Sequence, residues 1–264
     1  MSELLAAAGF TVDDASDGAE ALKKIDGGNF RVVLLDVQLP GVCGLDVLRR
    51  CAARPSPTKI IVMTGIDATE TVLDALRGQA YDFISKPLDL GRLVDMVTRA
   101  LAAGPDAARI EILSAHPQWL ELLVPCTRES VDRIQSFVER LEMDLPDDVR
   151  ASVGLAFREL LLNGVEWGGR LDPAERVRVA CLRTRRMLLY RIADPGQGFE
   201  PEELPHASVS QHDAIAHMHV RQQMGLRPGG FGLVLIHSIA DELIYNERRN
   251  EVMFIKYIET GEDA

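Results

Sequence analysis

Apolar residues in the first hundred positions form short runs that alternate with amphipathic segments. Residues 30–37 are a largely apolar run, residues 59–63 are a second and residues 81–85 are a shorter third. Such runs are typical of parallel strands that are covered on both faces. Residues 44–51 and 69–77, which lie between the runs, have the periodicity of helices. Strands that alternate with helices predict a parallel α/β sheet in this half of the chain.

The second half of the chain groups its helices and strands differently. Residues 127–142 place apolar side chains on one helical face, and residues 147–163 and 232–242 predict two further helices. Five other segments predict strands, the last four of them as two hairpins: residues 119–124, 177–182, 187–193, 243–246 and 252–258. Runs of helix followed by runs of strand predict an α+β sandwich.

A short stretch of small residues, Gly and Pro separates the two halves. Residues 102–106 have the sequence Ala-Ala-Gly-Pro-Asp, which ends a helical pattern. We predict a first domain over residues 1–103, a linker over residues 104–117 and a second domain over residues 118–260. Two domains agree with a chain of 264 residues, because a domain commonly holds ~150 residues.

The charge and the cysteine content of the chain limit which classes of function and which cellular locations are expected. The chain carries 29 Lys and Arg against 40 Asp and Glu, a formal net charge of -11, so we expect no direct nucleic-acid partner. No apolar run approaches the ~20 residues of a membrane span, and the first residues lack the basic region of a secretion signal. Cys43, Cys51, Cys126 and Cys181 have no metal-ligand spacing and are expected to be reduced thiols. These features together predict a cytoplasmic protein without a membrane partner.

Three polar side chains follow the three apolar runs of the first half. Asp36 ends the first run, Thr64 ends the second, and Lys86, followed by Pro87, ends the third. The carboxyl ends of parallel strands meet at one edge of a sheet, so these side chains should converge. A carboxylate there can accept a phosphoryl group whose oxygens bind the hydroxyl and the ammonium. A single strand-end Asp is usually a helix cap or a turn residue, so the ordered set carries the prediction.

This ordered set resembles the receiver domain of two-component response regulators, over residues 1 to about 103. The resemblance implies a flavodoxin-like fold and an upstream histidine kinase as partner. It makes Asp36 the phosphoacceptor, Thr64 the signalling hydroxyl and Lys86 the invariant lysine. Phe83 falls on the aromatic switch position, three residues before the lysine.

The sequence departs from the receiver pattern at its start. Receivers open with a strand that ends in two acidic residues, which hold Mg²⁺ about forty residues before the phosphoacceptor. Here Asp36 comes too early for that strand, and Asp13 and Asp14 lie in a segment that matches the second strand. We therefore expect a receiver that lacks its first strand, which leaves the neighbouring strands unpaired. Either Met1 is an internal methionine of a longer chain, or the receiver is degenerate and kept for protein contacts.

The second half carries a polar pair on a helix, a strand-end aspartate and two groups of glycines. These residues are Glu159 and Asn163, Asp194, Gly196 and Gly198, and Gly229, Gly230 and Gly232. Their chemistry suits a purine nucleotide. The aspartate can accept a hydrogen bond from the adenine amino group, and bare N–H groups at a helix N-terminus bind phosphates. The polar pair offers an oxygen to Mg²⁺ between the phosphates and a carboxylate that polarises an attacking hydroxyl or water.

The order of these motifs resembles the N, G1 and G2 boxes of the GHKL ATP-binding fold. Within that superfamily the chain is most similar to anti-sigma-factor serine kinases. The resemblance implies ATP and Mg²⁺ as cofactors, with Glu159 as catalytic base, Asn163 as the Mg²⁺ ligand and Asp194 as the adenine contact. It also suggests that Arg227 reaches the terminal phosphate. Trp167 stands where the family often has a histidine, which bears on the contacts at the nucleotide edge.

Residues 200–228 would form the lid over the nucleotide. Four of the six histidines fall there: His206, His212, His217 and His219. The spacing of His217 and His219 would allow zinc, but neither Cys nor carboxylates stand at ligand spacing, so we interpret them as lid residues. His212 lies between the two glycine groups and not in a helical hairpin, which argues against a phosphohistidine.

These features lead to three candidate functions from different classes. In the first, a histidine kinase phosphorylates Asp36, and the receiver controls an ATP-dependent serine/threonine kinase that acts on an anti-sigma-factor antagonist. In the second, the receiver is degenerate, and ATP orders a non-catalytic module that holds a partner such as a sigma factor. The third, a histidine-kinase fragment, ranks last because His116 lies in the predicted linker. A homodimer agrees with both resembled families, which commonly dimerise.

Overall fold

The chain forms two compact units, Met1–Ala107 and Ala108–Ala264. The computed structural model describes residues 1–28, 30–53, 58–65, 69–103, 109–199 and 232–258. Each unit has its own sheet, and no hydrogen-bonded strand pair of the described residues joins the two sheets.

The first unit contains a parallel sheet flanked by helices. Its helices are α1 (Ser2–Ala7), α2 (Gly18–Gly27), α3 (Gly44–Ala52), α4 (Thr69–Arg77) and α5 (Leu90–Ala102). Its strands are β1 (Val32–Asp36), β2 (Lys59–Thr64) and β3 (Asp82–Ser85), hydrogen-bonded in the order β1-β2-β3. All three strands are parallel, as the sequence predicted.

The middle strand β2 is the centre of this unit's core. Its last five residues are buried, and Ile61 and Met63 pack with Leu5 of α1 and Leu93 and Met96 of α5. Both faces of the strand are therefore covered by apolar side chains, which explains its continuous apolar sequence. The strand β1 is less buried, because among the described residues it pairs with β2 alone.

Residues 9–14, which matched the second strand of a receiver in the sequence, form neither a helix nor a strand. That part of the prediction was wrong. A strand needs a neighbour that satisfies its backbone groups, and the described sheet offers none beside this segment.

The second unit is a six-stranded antiparallel sheet with helices packed against it. Its strands are β4 (Glu111–His116), β5 (Trp119–Pro125), β6 (Arg176–Arg183), β7 (Met187–Ala193), β8 (Glu242–Tyr245) and β9 (Glu251–Tyr257), in the order β4-β5-β6-β7-β9-β8. Its helices are α6 (Arg128–Leu141), α7 (Asp147–Asn163) and α8 (Gly232–Ile239), with a π-helical turn at Gly164–Gly168. The predicted linker over residues 104–117 was too long, since its last part forms β4.

Alternating side chains of this sheet form the core with α6 and α7. In β5 every second residue is buried, which places Leu122 and Val124 on the inner face. The aromatic ring of Tyr190 on β7 lies 4.7 Å from that of Phe157 on α7 and 6.0 Å from that of Phe254 on β9. Helix α7 is thereby fixed against the centre of the sheet, which positions its polar residues for the site described below.

A buried carboxyl group lies at the end of α6. Glu142 is 2% exposed, and its Oε2 has no hydrogen-bond partner among the described residues. Burial raises the pKa of Glu142 to about 8, although the nearby Arg183 guanidinium opposes the rise. The group is therefore mostly protonated in the folded protein at neutral pH.

We expect Glu142→Gln to stabilise the second unit at pH 8 and to change little at pH 4. In wild type the unfolded carboxyl ionises above its ordinary pKa, whereas the folded one stays protonated to about pH 8. The free energy of unfolding is therefore highest at low pH. It falls by on the order of 4 kcal/mol as pH rises from the ordinary pKa of the carboxyl to its folded pKa of about 8, because only the unfolded state ionises in that range. The two tryptophans, Trp119 and Trp167, both lie in this unit and report its unfolding in denaturant.

The control for this prediction is Glu247→Gln, at an exposed position of the turn between β8 and β9. Its stability profile between pH 4 and pH 8 should keep the wild-type slope, whereas the Glu142→Gln profile should be flatter. Parallel profiles for all three proteins would show that Glu142 does not titrate with folding.

Candidate functional site

A cavity of about 410 Å³ lies in the second unit, between α7, the start of α8 and the ends of the central strands. Among its lining residues are those that the sequence singled out: Glu159, Asn163, Asp194, Gly196, Gly198 and Gly232. These residues come from three separate segments of the chain, so the fold brings together what the motif order suggested. Arg227, Gly229, Gly230 and the predicted lid at residues 200–228 lie outside the described residues.

The end of α7 is shaped to approach Asp194. The helix continues into the π-helical turn at Gly164–Gly168. A Cβ atom on Gly168 would lie 2.1 Å from Asp194 Oδ1, and one on Gly164 would lie 3.4 Å from Asp194 Cβ. Sequence reasoning did not select Gly168, although the Gly168–Gly169 pair after the helix was a signal that could have found it. A glycine is required there because any side chain would occupy the space of the carboxylate.

Asp194 is the half-buried acid of the cavity. Its Oδ1 accepts a hydrogen bond from the backbone N–H of Gly196 at 2.8 Å. Burial raises the pKa of Asp194 to about 6, and the Gly196 hydrogen bond opposes the rise. Among the described residues no second donor reaches the carboxylate. Its other oxygen, Oδ2, is therefore left to accept a hydrogen bond from a ligand in the cavity.

The loop after Asp194, residues 194–198, is called the Asp194 loop below. Gly198 has a φ of 86°, in the left-handed region that favours glycine. A Cβ atom there would lie 1.5 Å from the carbonyl oxygen of Arg248. The loop backbone is therefore in direct contact with the turn between β8 and β9, and only glycine permits that contact.

Glu159 and Asn163 lie on the cavity face of α7. A Cβ atom on Gly232 would lie 2.7 Å from Glu159 Oε2, so the carboxylate lies against the first residue of α8. The N-terminus of a helix carries unpaired N–H groups and a partial positive charge, which favour anionic groups. The two sides of the cavity therefore differ: the half-buried Asp194 lies at one side, and a helix N-terminus beside a carboxylate lies at the other.

Aromatic side chains complete the walls. Trp167 is 41% exposed and lines the cavity, and so do Phe199 and Tyr245. The rings of Phe199 and Tyr245 meet edge to face with centroids 6.0 Å apart. Flat apolar walls of this kind suit a planar heterocycle.

In the first unit, Asp36 and Lys86 form an ion pair at the carboxyl edge of the parallel sheet. Thr64 ends the neighbouring strand and is fully buried, and its carbonyl accepts a hydrogen bond from the Lys86 N–H at 2.7 Å. Phe83 is buried in β3. A Cβ atom on Gly44 would lie 2.0 Å from the Asp36 carbonyl oxygen, so the loop after β1 folds closely onto the strand end.

Asp13 and Asp14 are engaged elsewhere in this unit. Asp13 pairs with Lys24 at 2.8 Å, and this hydrogen bond lowers the pKa of the Asp13 carboxyl. Asp14 accepts a hydrogen bond from the Ser2 hydroxyl. Across the described ranges no group of three or more His, Cys, Asp or Glu side chains could hold a metal ion. The two aspartates therefore do not supply Asp36 with the acidic pair of the receiver pattern.

Two family models match the chain. The response regulator receiver domain matches residues 1–98, and the histidine kinase-like ATPase domain matches residues 124–256. The second match covers about half of the chain, so the chain belongs to the histidine kinase-like ATPase domain family, and a response regulator receiver domain precedes that domain. The predicted fold class is confirmed: a flavodoxin-like parallel sheet followed by an antiparallel sheet with helices.

Curated relatives share the receiver half. The transcriptional regulatory protein FixJ of Bradyrhizobium diazoefficiens is 34% identical over 114 residues, which cover 43% of this chain and 56% of that protein. The transcriptional regulatory protein TcrA of Mycobacterium tuberculosis is 35% identical over 109 residues, or 40% of this chain and 43% of that protein. The chain thus spans about half the length of the curated relatives it matches.

Solved receiver domains are also similar to this chain. The receiver domain of NtrX from Brucella abortus is 31% identical to this chain and has a TM-score of 0.37; the match covers 39% of this chain and 88% of that one.

None of the described helices is long and apolar enough to cross a membrane.

Proposed function

We propose that phosphorylation of Asp36 in the receiver controls an ATP- and Mg²⁺-dependent protein serine/threonine kinase of the anti-sigma-factor type. The observation that carries this proposal is the single cavity lined by Glu159, Asn163, Asp194 and the first residue of α8. Its half-buried acid, Asp194, and its helix N-terminus suit the two ends of a nucleoside triphosphate. The receiver in front supports control by an upstream histidine kinase.

The two ends of the cavity support one orientation of the nucleotide. The free Oδ2 of Asp194 accepts a hydrogen bond from the 6-amino group of adenine, and the nearby aromatic walls cover the base. The phosphates then point toward the N-terminus of α8, where N–H groups and the helix dipole stabilise negative charge.

Asn163 and Glu159 serve the reacting end of the nucleotide. The amide oxygen of Asn163 is a suitable ligand for Mg²⁺, which neutralises phosphate charge when it is bound. The Glu159 carboxylate lies beside the start of α8. From there it accepts the proton of a serine or threonine hydroxyl of the protein substrate, here an anti-sigma-factor antagonist.

In the receiver, a carboxylate oxygen of Asp36 attacks the phosphorus of a phosphohistidine on the histidine kinase, the P–N bond breaks and the imidazole leaves. The Lys86 ammonium, which is paired with Asp36, then binds a phosphoryl oxygen. Thr64 and Phe83 transmit the change in state by shifting the population between two arrangements of the receiver.

We expect Glu159→Gln to reduce phosphotransfer from labelled ATP to candidate antagonist domains by about a hundredfold or more. The variant keeps the size of the side chain but cannot take up a proton, so ATP affinity should stay within about twofold of wild type. The matched control is Glu121→Gln, on the outer face of the sheet, where the carboxylate pairs with Arg178. Wild-type protein that transfers no phosphate, or a Glu159→Gln variant with full activity, would contradict the kinase assignment.

A second function, a non-catalytic ATP-dependent switch with a degenerate receiver, is favoured by one observation. Asp13 and Asp14 are paired away from Asp36 in the described structure. In this case ATP orders the module for a partner such as a sigma factor, and Glu159→Gln leaves partner binding intact. Loss of partner binding in that variant, while ATP still binds, would exclude the switch.

A further inference from the structure

The turn between β8 and β9, residues 246–250, is hydrogen-bonded to the Asp194 loop through one residue. The Asp194 N–H donates to the backbone carbonyl of Asn250 at 2.8 Å. In return the side-chain Nδ2 of Asn250 donates to the carbonyl of Asp194 at 3.3 Å and to that of Gly196 at 3.1 Å. Asn250 is 56 residues away from Asp194 in the chain, yet it is hydrogen-bonded to both the first and the third residue of the Asp194 loop.

The turn itself fixes the direction of the Asn250 amide. Asn246 Nδ2 donates to Asn250 Oδ1 at 2.8 Å, and Asn246 Oδ1 accepts the N–H groups of Asn250 and Glu251 at 3.1 and 3.2 Å. Because Oδ1 of Asn250 is occupied by Asn246, its Nδ2 is the atom that faces the loop. The two donors therefore have a set orientation before any ligand binds.

Holding Gly196 also holds the acid. The N–H of Gly196 donates to Asp194 Oδ1, and this contact determines which oxygen of the carboxylate is left for a ligand. The direction of Oδ2 thus depends on the position of Gly196, which depends on the Asn250 amide. Both Asn250 and Asp194 line the cavity.

We propose that Asn250 is a positioning residue for nucleobase recognition, which acts through the Asp194 loop to direct Asp194 Oδ2 at the exocyclic amino group of the base. This inference rests on the proposed nucleotide function of the cavity. It assigns a role in selecting a 6-amino purine to a residue outside the strand-end motif.

The test compares two nucleotides on the full chain. Asn250→Asp keeps the size of the side chain but replaces the two donors by an acceptor that faces two carbonyl oxygens, and Asn250→Ala removes the donors without adding charge. Both variants should bind ATP about tenfold more weakly than wild type. Both should bind purine riboside triphosphate, which lacks the 6-amino group, as wild type does. Glu247→Gln, at an exposed position of the same turn, is the control and should match wild type with both nucleotides.

An equal loss of affinity for both nucleotides would overturn the proposal, because it would indicate a general structural role. Hydrogen–deuterium exchange without nucleotide gives an independent readout. The Asp194 and Gly196 amides should exchange faster in both Asn250 variants, and their exchange rates should stay at the wild-type values in Glu247→Gln. Wild-type exchange rates in the Asn250 variants would also overturn the proposal. Wild-type protein that binds neither nucleotide would contradict the proposed function, and the exchange data would still show whether Asn250 holds the loop.

Discussion

Replacing Asp194 by Asn should weaken ATP binding by about a hundredfold or more. The variant can still accept the Gly196 N–H, but its amide NH₂ then takes the place of the free Oδ2. Two donors, this NH₂ and the adenine amino group, would face each other in a partly buried cavity, and a buried donor without an acceptor costs about 1–3 kcal/mol. Calorimetric titration of the full chain with ATP and Mg²⁺ measures the loss.

The matched control for this prediction is Asp241→Asn, because Asp241 pairs with Lys256 at 2.8 Å and is not among the residues that line the cavity. It should keep wild-type affinity.

The ATP affinity of wild type should also depend on pH. Since the pKa of Asp194 is raised to about 6, the carboxylate is ionised above pH 7 and becomes protonated as pH falls below 6. The neutral carboxyl is a weaker acceptor for the adenine amino group, so ATP affinity should fall at low pH. Affinity that is the same at pH 5 and pH 8, or unchanged in Asp194→Asn, would contradict the adenine contact.

Replacing Gly168 by Ala should weaken ATP binding by about a hundredfold while the second unit stays folded. The new methyl group would lie 2.1 Å from Asp194 Oδ1, a distance at which one of the two groups must move. Either the carboxylate turns away from the cavity or the π-helical turn opens, and both outcomes displace the acid from the base. We expect a loss of about a hundredfold in affinity, comparable to that of Asp194→Asn.

The control for this substitution is Gly154→Ala, in the middle of the same helix. There the nearest heavy atom to a new Cβ is Glu139 Cγ at 4.0 Å, so the methyl group fits. Ala should stabilise the helix by about 0.5–1 kcal/mol relative to Gly and leave ATP affinity unchanged. Circular dichroism and tryptophan fluorescence establish that both variants are folded. A Gly168→Ala protein that is folded and binds ATP normally would show that this close approach is not needed.

The elements with strong local periodicity were predictable from the sequence. The bounds of α7, Asp147–Asn163, and of α4, Thr69–Arg77, agree with the predicted helices, because both carry a repeated apolar face. The convergence of Asp36 with Lys86 followed from the strand ends, and that of Glu159 with Asp194 followed from the order of the motifs.

Other features depend on contacts that a local pattern does not contain. The edge strand β4 has few buried residues, so it acquires its identity only by pairing with β5. The role of Asn250 depends on a turn that meets the Asp194 loop across 56 residues of chain. Residues 9–14 had the sequence of a strand, but a strand also needs a neighbour.

The central claim is that the state of Asp36 sets the activity of the ATP-binding unit. The most direct measurement is the rate of phosphotransfer from ATP to a candidate antagonist domain, with and without a small phosphodonor, in wild type and in Asp36→Ala. Intact mass establishes in parallel whether one phosphate is added at Asp36. We predict that the phosphodonor changes the wild-type rate by about fivefold or more, as typical coupling free energies imply, and leaves the Asp36→Ala rate unchanged. Wild-type protein that carries the phosphate on Asp36 and still transfers phosphate from ATP at its original rate would contradict the account.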